Sequence, residues 1–149
     1  MKLLVTAGNT QTPIDEVRCI TNIFSGRTGA QIAAQAAYRG HDVTLLTSHP
    51  EVLPANSRVN AKPYRTFADL EALMETEITY GGYDAIVHAA AVSDFHVAGV
   101  FRRVDDEFQD VRAGKVKSSH PELWLKLTPA PKLVEAISDS LITIAPRVT

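Results

Sequence analysis

An α/β fold built on a mostly parallel sheet follows from three observations in the sequence. Apolar runs at Lys2–Ala7 (KLLVTA), Asp42–Thr47 (DVTLLT) and Tyr83–Val92 are nearly continuous, as strands covered on both faces require. Between them, Gly29–Arg39 and the segment after Thr66 repeat apolar or small residues at helical spacing. Glycines and prolines punctuate the runs, and strands alternating with helices fold through right-handed crossovers onto a parallel sheet.

The first strand runs into Gly8. In a dinucleotide-binding unit the strand turns almost directly into a helix whose N-terminus holds a pyrophosphate. Here that helix is postponed to Ser25-Gly26-Arg27-Thr28-Gly29, after an expanded polar loop, Asn9–Phe24. The loop carries Thr10, Gln11, Asp15, Arg18, Thr21 and Asn22, side chains suited to holding a substrate. The helix then places Ile32, Ala33, Ala36 and Ala37 on one face, and Gly40 stops it.

Pro50, Pro54 and Asn56 make residues 49–62 a loop, with a short strand expected near Ser57–Ala61. Thr66 can cap a second helix, on which Phe67, Leu70, Leu73 and Met74 form an apolar stripe. Gly81-Gly82 ends it, and Tyr83–Val92 follows as the third major strand, its three alanines leaving space for something to approach. Asp94–Pro121 is charged and lacks periodicity, so it reads as a flap. A strand at Leu123–Thr128, a helix at Pro131–Ser138 and the start of a strand at Leu141–Ala145 complete a single Rossmann-like, three-layer domain over residues 1–149.

The composition is 45% hydrophobic and 21% charged, which excludes disordered and fibrous classes. Fifteen basic against 17 acidic residues give a net charge of −2, so neither nucleic acid nor an anionic membrane is an expected partner. The apolar stretch at Ala85–Val92 is far short of the roughly 20 residues that span a bilayer. The N-terminus lacks a signal-peptide pattern, and a cytoplasmic location is the expectation. Cys19 is the only cysteine, which rules out an intrachain disulfide and a thiolate cluster within one chain. The histidines at 41, 49, 88, 96 and 120 show no ligand spacing.

Ligands of open parallel sheets bind beyond the carboxyl ends of the strands. That rule brings together Gly8 onward, Thr47-Ser48 and Ala91–Asp94. Gly26-x-x-Gly29 can present free amides to a phosphate or simply permit close helix–sheet packing. Arg18 can clamp a carboxylate or phosphate bidentately, and Asn22, four residues on, offers donor and acceptor. Asp94 is placed to accept bonds from a ribose or base, or to serve as a turn residue. Lys115 and Lys117 in the flap can neutralise charge in a phosphoryl or nucleotidyl transfer.

The segments VTAGNTQTPIDEVRCITNIFSGRTGAQIA, RGHDVTLL, AAAVSDF and GKVKS, in that order, resemble the phosphopantothenoylcysteine synthetase family of coenzyme A biosynthesis. The resemblance extends to about Ile137. It implies a ligase that activates the carboxylate of 4′-phosphopantothenate with a nucleotide, CTP or ATP, and Mg²⁺, forming an acyl-nucleotidylate that cysteine then attacks. By the same resemblance Asn22, Arg18 and Lys115 are the catalytic residues. Gly8, Thr10, Ser25, Gly26, Gly29, Ala90, Ala91 and Asp94 fall in the nucleotide and phosphate site, and the enzyme is a homodimer. Asn9 stands where many members have a second glycine, and the flap holds fewer lysines than many. Family members continue past this chain's end, so an incomplete domain is expected; no flavin half precedes Met1, so FMN is not implied. Two further readings are a non-catalytic nucleotide-binding or dimerisation module and a nicotinamide-dependent reductase. The latter lacks GxGxxG and any YxxxK pair.

Overall fold

The computed structural model describes residues 1–112, 114–138 and 143–144. In chain order the elements are β1 (Lys2–Ala7), β2 (Gln11–Pro13), β3 (Cys19–Thr21), α1 (Arg27–Tyr38), β4 (Asp42–Thr47), β5 (Asn60–Pro63), α2 (Phe67–Tyr80), β6 (Ala85–His88), β7 (Phe95–Val104), β8 (Glu107–Asp110), β9 (Trp124–Pro129), α3 (Leu133–Ser138) and β10 (Thr143–Ile144). Five of these strands form a parallel sheet in the order β10-β6-β1-β4-β5. The chain builds outward from β1 through β4 to β5, then returns to add β6 on the other side of β1. The strand order therefore reverses between β1 and β6, the place where such sheets open a crevice for ligand.

Side-chain alternation along β1 divides the core into two layers. Val5 and Ala7 pack with Ala30, Ala33 and Ala37 of α1 and with Val43 and Leu45 of β4. Leu4 packs on the opposite face with Leu46, Phe67, Leu70, Met74, Ile86 and Leu133. The helices thus cover both faces, as the continuous apolar strands demand. No helix among the described residues is long and apolar enough to cross a membrane.

The buried face of α1 is Gly29, Ala30, Ala33 and Ala37, whereas Ile32, expected inside, is exposed. The cause is how closely α1 approaches β1. A Cβ on Gly29 would stand 2.6 Å from the Ala7 Cβ and 3.0 Å from the Thr6 carbonyl oxygen, so only glycine and alanine fit on that face. The α2 stripe is as expected, and Thr66 caps it in a reciprocal box with Asp69. Glu77 is buried on the same helix and is satisfied by Lys62 Nζ at 2.5 Å and by the Tyr83 hydroxyl. Burial opposes its charge, yet Lys62 and Tyr83 hold the carboxyl below its ordinary range; burial and this carboxylate push the Tyr83 phenol up to about 12.

Three expectations are corrected. The Asn9–Phe24 loop is an antiparallel ribbon of β2 and β3. The Asp94–Pro121 flap is for the most part a hairpin of β7 and β8, turning at Asp105-Asp106, where both residues adopt the positive φ that a two-residue hairpin turn requires. The strand near Leu123–Thr128 leaves the parallel sheet altogether, since β9 pairs antiparallel with β7. Much of the Leu141–Ala145 strand lies outside the described residues.

Gly29→Ala removes a helix-weakening residue but overpacks the α1–β1 contact. It is expected to lower unfolding free energy by about 1–3 kcal/mol, measured by urea denaturation. An unchanged midpoint would mean that the helix can back away from the sheet at no cost.

Candidate functional site

The carboxyl ends of β1 and β6 are joined beyond the sheet by backbone. Ala91 N donates to Gly8 O at 2.7 Å, Thr10 N donates to Ala91 O at 3.3 Å, and Asn9 bridges Ala91. Above His88 the chain leaves the sheet, which is why β6 is shorter than the Tyr83–Val92 run. The Ala89 and Ala90 amides turn back to the Thr6 hydroxyl, each at 3.2 Å. The next turn is fixed by Thr10, fully buried, whose Oγ1 accepts from Ser93 N at 2.9 Å.

The N-terminus of α1 enters from the side. Gly26 is its N-cap in a left-handed conformation, φ 72°, and a Cβ there would stand 2.6 Å from Gly8 N. On Gly8, φ 95°, a Cβ would stand 3.1 Å from Ser48 N and closer still to the Ser48 hydroxyl. Gly26 has no side chain to cap the first-turn amides and the turn holds no acidic residue, so the helix offers those donors and its positive dipole end uncompensated. Ser25 and Arg27 are exposed beside it.

Asn22 reaches this junction from the ribbon. Its Nδ2 donates to Ala91 O at 3.2 Å, and its own carbonyl accepts from Asn9 Nδ2 at 2.6 Å. Asn9, missed as a site residue, is the hub: its Oδ1 accepts from Ser48 Oγ at 2.9 Å and its amide donates to the same oxygen at 2.8 Å. Asn9 is not among the residues with positive φ, so its carboxamide, not backbone freedom, is what the position uses. Polar residues directly after a strand's terminal glycine were the signal that could have marked it.

Arg18 is committed within the protein. Its Nε and Nη2 bond Asp15 at 3.1 and 2.5 Å, and Nη2 also donates to Val116 O at 2.6 Å. Asp15 in turn accepts from Val116 N at 3.0 Å, and Glu16 N donates to Gly114 O at 2.9 Å. The Arg18 guanidinium, aided by the Val17, Val116 and Arg18 amides, outweighs desolvation and holds the Asp15 carboxyl well below the usual carboxylate range. This latch fastens both neighbours of Lys115 to the ribbon while Lys115 itself stays exposed. Asp94 is directed elsewhere: Lys132 Nζ bonds its carboxylate at 2.5 Å, and both line a cavity of about 160 Å³ with His88 and Leu133. Among the described residues no three His, Cys, Asp or Glu side chains cluster to hold a metal ion.

Residues 1–144 match the family described as the DNA/pantothenate metabolism flavoprotein C-terminal domain. The chain belongs to this family. It is 37% identical to a coenzyme A biosynthesis bifunctional protein CoaBC of Thermococcus kodakarensis over 93% of its length, and 31% identical to that of Escherichia coli K12 over the same share. It spans 31% of each, so about a third of these curated relatives. The crystal structure of the DNA/pantothenate metabolism flavoprotein from Streptococcus pneumoniae matches with a TM-score of 0.78 at 26% identity, covering 96% of this chain and 67% of that one. A structure titled as a Cab2 mutant in complex with phosphopantothenate-cysteine shares the fold, with a TM-score of 0.67 at 16% identity, covering 97% of this chain and 62% of that one. Within this flavoprotein C-terminal domain family, the α/β fold is the one the sequence led us to expect.

Asp15→Asn removes the charge that the latch is built on. Exchange of the Val116 amide, followed by NMR at neutral pH, is expected to rise at least about tenfold. In the wild type the folded Asp15 pKa lies below its unfolded value, so protection is complete above the ordinary aspartate range and is lost as pH falls through the depressed folded pKa. Unaltered exchange in the variant would remove the latch as the anchor of this loop.

Proposed function

We propose that this chain is the phosphopantothenate–cysteine ligase part of coenzyme A biosynthesis, with CTP the expected nucleotide and ATP the alternative. The observation that carries the reading is the meeting of Asn22, the uncapped α1 N-terminus and the Ala89–Ala91 turn at the point where strand order reverses. The domain family and the relatives' names support the same reading.

In the first half-reaction the 4′-phosphopantothenate carboxylate attacks the nucleotide α-phosphorus and pyrophosphate leaves. Negative charge gathers at one place, and the groups available to meet it are the first-turn amides of α1, from Arg27 to Gly29, and the exposed Lys115 ammonium. Gly8, Ala90 and Ala91 supply a wall without bulk, exposed Ser25 supplies a hydroxyl along it, and buried Thr10 fixes the turn behind it. Asp94 would need to exchange Lys132 for a nucleotide hydroxyl. In the second half-reaction the cysteine amine attacks the acyl carbon and the nucleoside monophosphate leaves. The Asn22 carboxamide, whose Nδ2 is held by Ala91 O while Asn9 holds the Asn22 backbone carbonyl, orients the acyl-nucleotidylate for this attack. Neither step needs a protein nucleophile, consistent with Cys19 lying exposed on the ribbon. Arg18 acts through the latch in this geometry, and contact with substrate would require it to leave Asp15. The described residues provide no carboxylate cage for Mg²⁺, which would arrive with the nucleotide, held by its phosphates.

A cytoplasmic homodimer completes the reading. Phe108, Trp124, Leu125 and Leu127 are exposed large apolar residues on the antiparallel β7–β9 sheet, where a cavity of about 280 Å³ opens beside Phe101. Sedimentation equilibrium is expected to return twice the chain mass.

Pyrophosphate release from CTP or ATP, with phosphopantothenate and cysteine present, tests the activity directly. Asn22→Asp and Lys115→Gln are each expected to lower turnover by at least about 10²–10³-fold with little change in thermal midpoint, since both side chains are exposed. Near-normal turnover in both variants would sink the site assignment.

A further inference from the structure

His88 closes β6 and pairs in register with Thr6 of β1. Its Nδ1 lies 2.8 Å from Thr6 Oγ1, and the same oxygen receives the Ala89 and Ala90 amides. A hydroxyl has one proton and two lone pairs. Two N–H groups occupy the lone pairs, so the Thr6 proton has one place left to go, the His88 Nδ1. That nitrogen must then be unprotonated, which leaves the ring neutral with its proton on Nε2.

We propose that His88 is a positioning residue for the turn at Ala89–Ala91: as a neutral imidazole it takes the Thr6 hydroxyl proton and so turns both lone pairs of that oxygen toward the turn amides. The functional consequence rests on the ligase reading above, because the turn carries the Ala91 carbonyl that holds Asn22 and Thr10. A proton on Nδ1 would present a donor to an oxygen that already accepts twice. Thr6 Oγ1 would then hold the turn amides less well: Ala89 N can fall back on the Thr6 carbonyl at 3.1 Å, whereas Ala90 N has no other acceptor among the described residues.

The surroundings favour the neutral ring. Burial pushes the His88 pKa down. From the turn and the segment before α3, the charged groups sharing its cavity are Asp94 and Lys132, and they pair with each other. Thr6, its partner on β1, carries no titratable group. The folded pKa thus lies below the unfolded one, and what this contact contributes is present at neutral pH and lost as pH falls through the folded value.

Long-range ¹H–¹⁵N spectra of the full chain, without nucleotide, test the proposal at its source. The expected result is an unprotonated Nδ1 and a protonated Nε2 on His88 at pH 7, with the Ala89 and Ala90 amides shifting on acidification at the His88 midpoint. In His88→Asn, whose Oδ1 can accept from Thr6 where Nδ1 did, those shifts stay flat. In calorimetry with CTP and Mg²⁺, wild-type affinity is expected to fall about tenfold across the same midpoint, as loss of one buried hydrogen bond implies, while His88→Asn stays level. An Nδ1–H tautomer, or turn amides that ignore the His88 titration, overturns the proposal whether or not nucleotide binds. Amides that move while affinity stays level overturn the link from turn to ligand. Coupled amides in a chain that binds no CTP or ATP support the His88 role and remove the ligase reading instead.

Discussion

The close approach of α1 to the end of β1 is the constraint on which the rest of the structure depends. Three positions without a Cβ, Gly8, Gly26 and Gly29, let a helix start lie directly on a strand end. That contact forces the inner face of α1 to be alanine. It also places the helix amides beside the crevice between β1 and β6. Because Gly8 and Gly26 touch, the intervening segment leaves and returns through the same point. A loop closed at its neck costs little more when lengthened, so the fold can carry a ribbon there without disturbing the sheet.

The site assembled around that contact is made largely of amides and hydroxyls. Thr6, Thr10, Asn9 and Ser48 each fix a backbone group of a neighbouring segment, and together they hold the turn after β6 against the strand end. Such a lining suits an anionic ligand, since it supplies donors without a large fixed charge that must be desolvated before binding. Exposed Arg27 stands beside the helix start, and exposed Lys115 lies on the segment that the latch fastens to the ribbon.

The parallel core was legible because its physics is local. Uninterrupted apolar strands, the Thr66 cap and the Gly40 stop each follow from a few adjacent residues. The β7–β8 hairpin was not, for two reasons. Its turn is Asp105-Asp106, not the Asn-Gly or Asp-Gly pair that signals such a turn, and a register shift between Val97 and Gly99 breaks the alternation that marks a half-buried strand. At the candidate site, Asn22 and the glycines could be named from sequence. The partner of Arg18 could not: Asp15 sits three residues away, but Val116, which makes the pair a latch, is 98 residues distant.

That latch makes the ribbon and the strip of chain around Lys115 mechanically one body. The ribbon that carries Asn22 and the strip of chain that carries Lys115 share the Asp15–Arg18 pair, so neither can be displaced without pulling on the other. Asn22 and Lys115 are therefore coupled as reporters. A change of length or stiffness in either segment is felt in both, and their substitutions will not combine as independent increments.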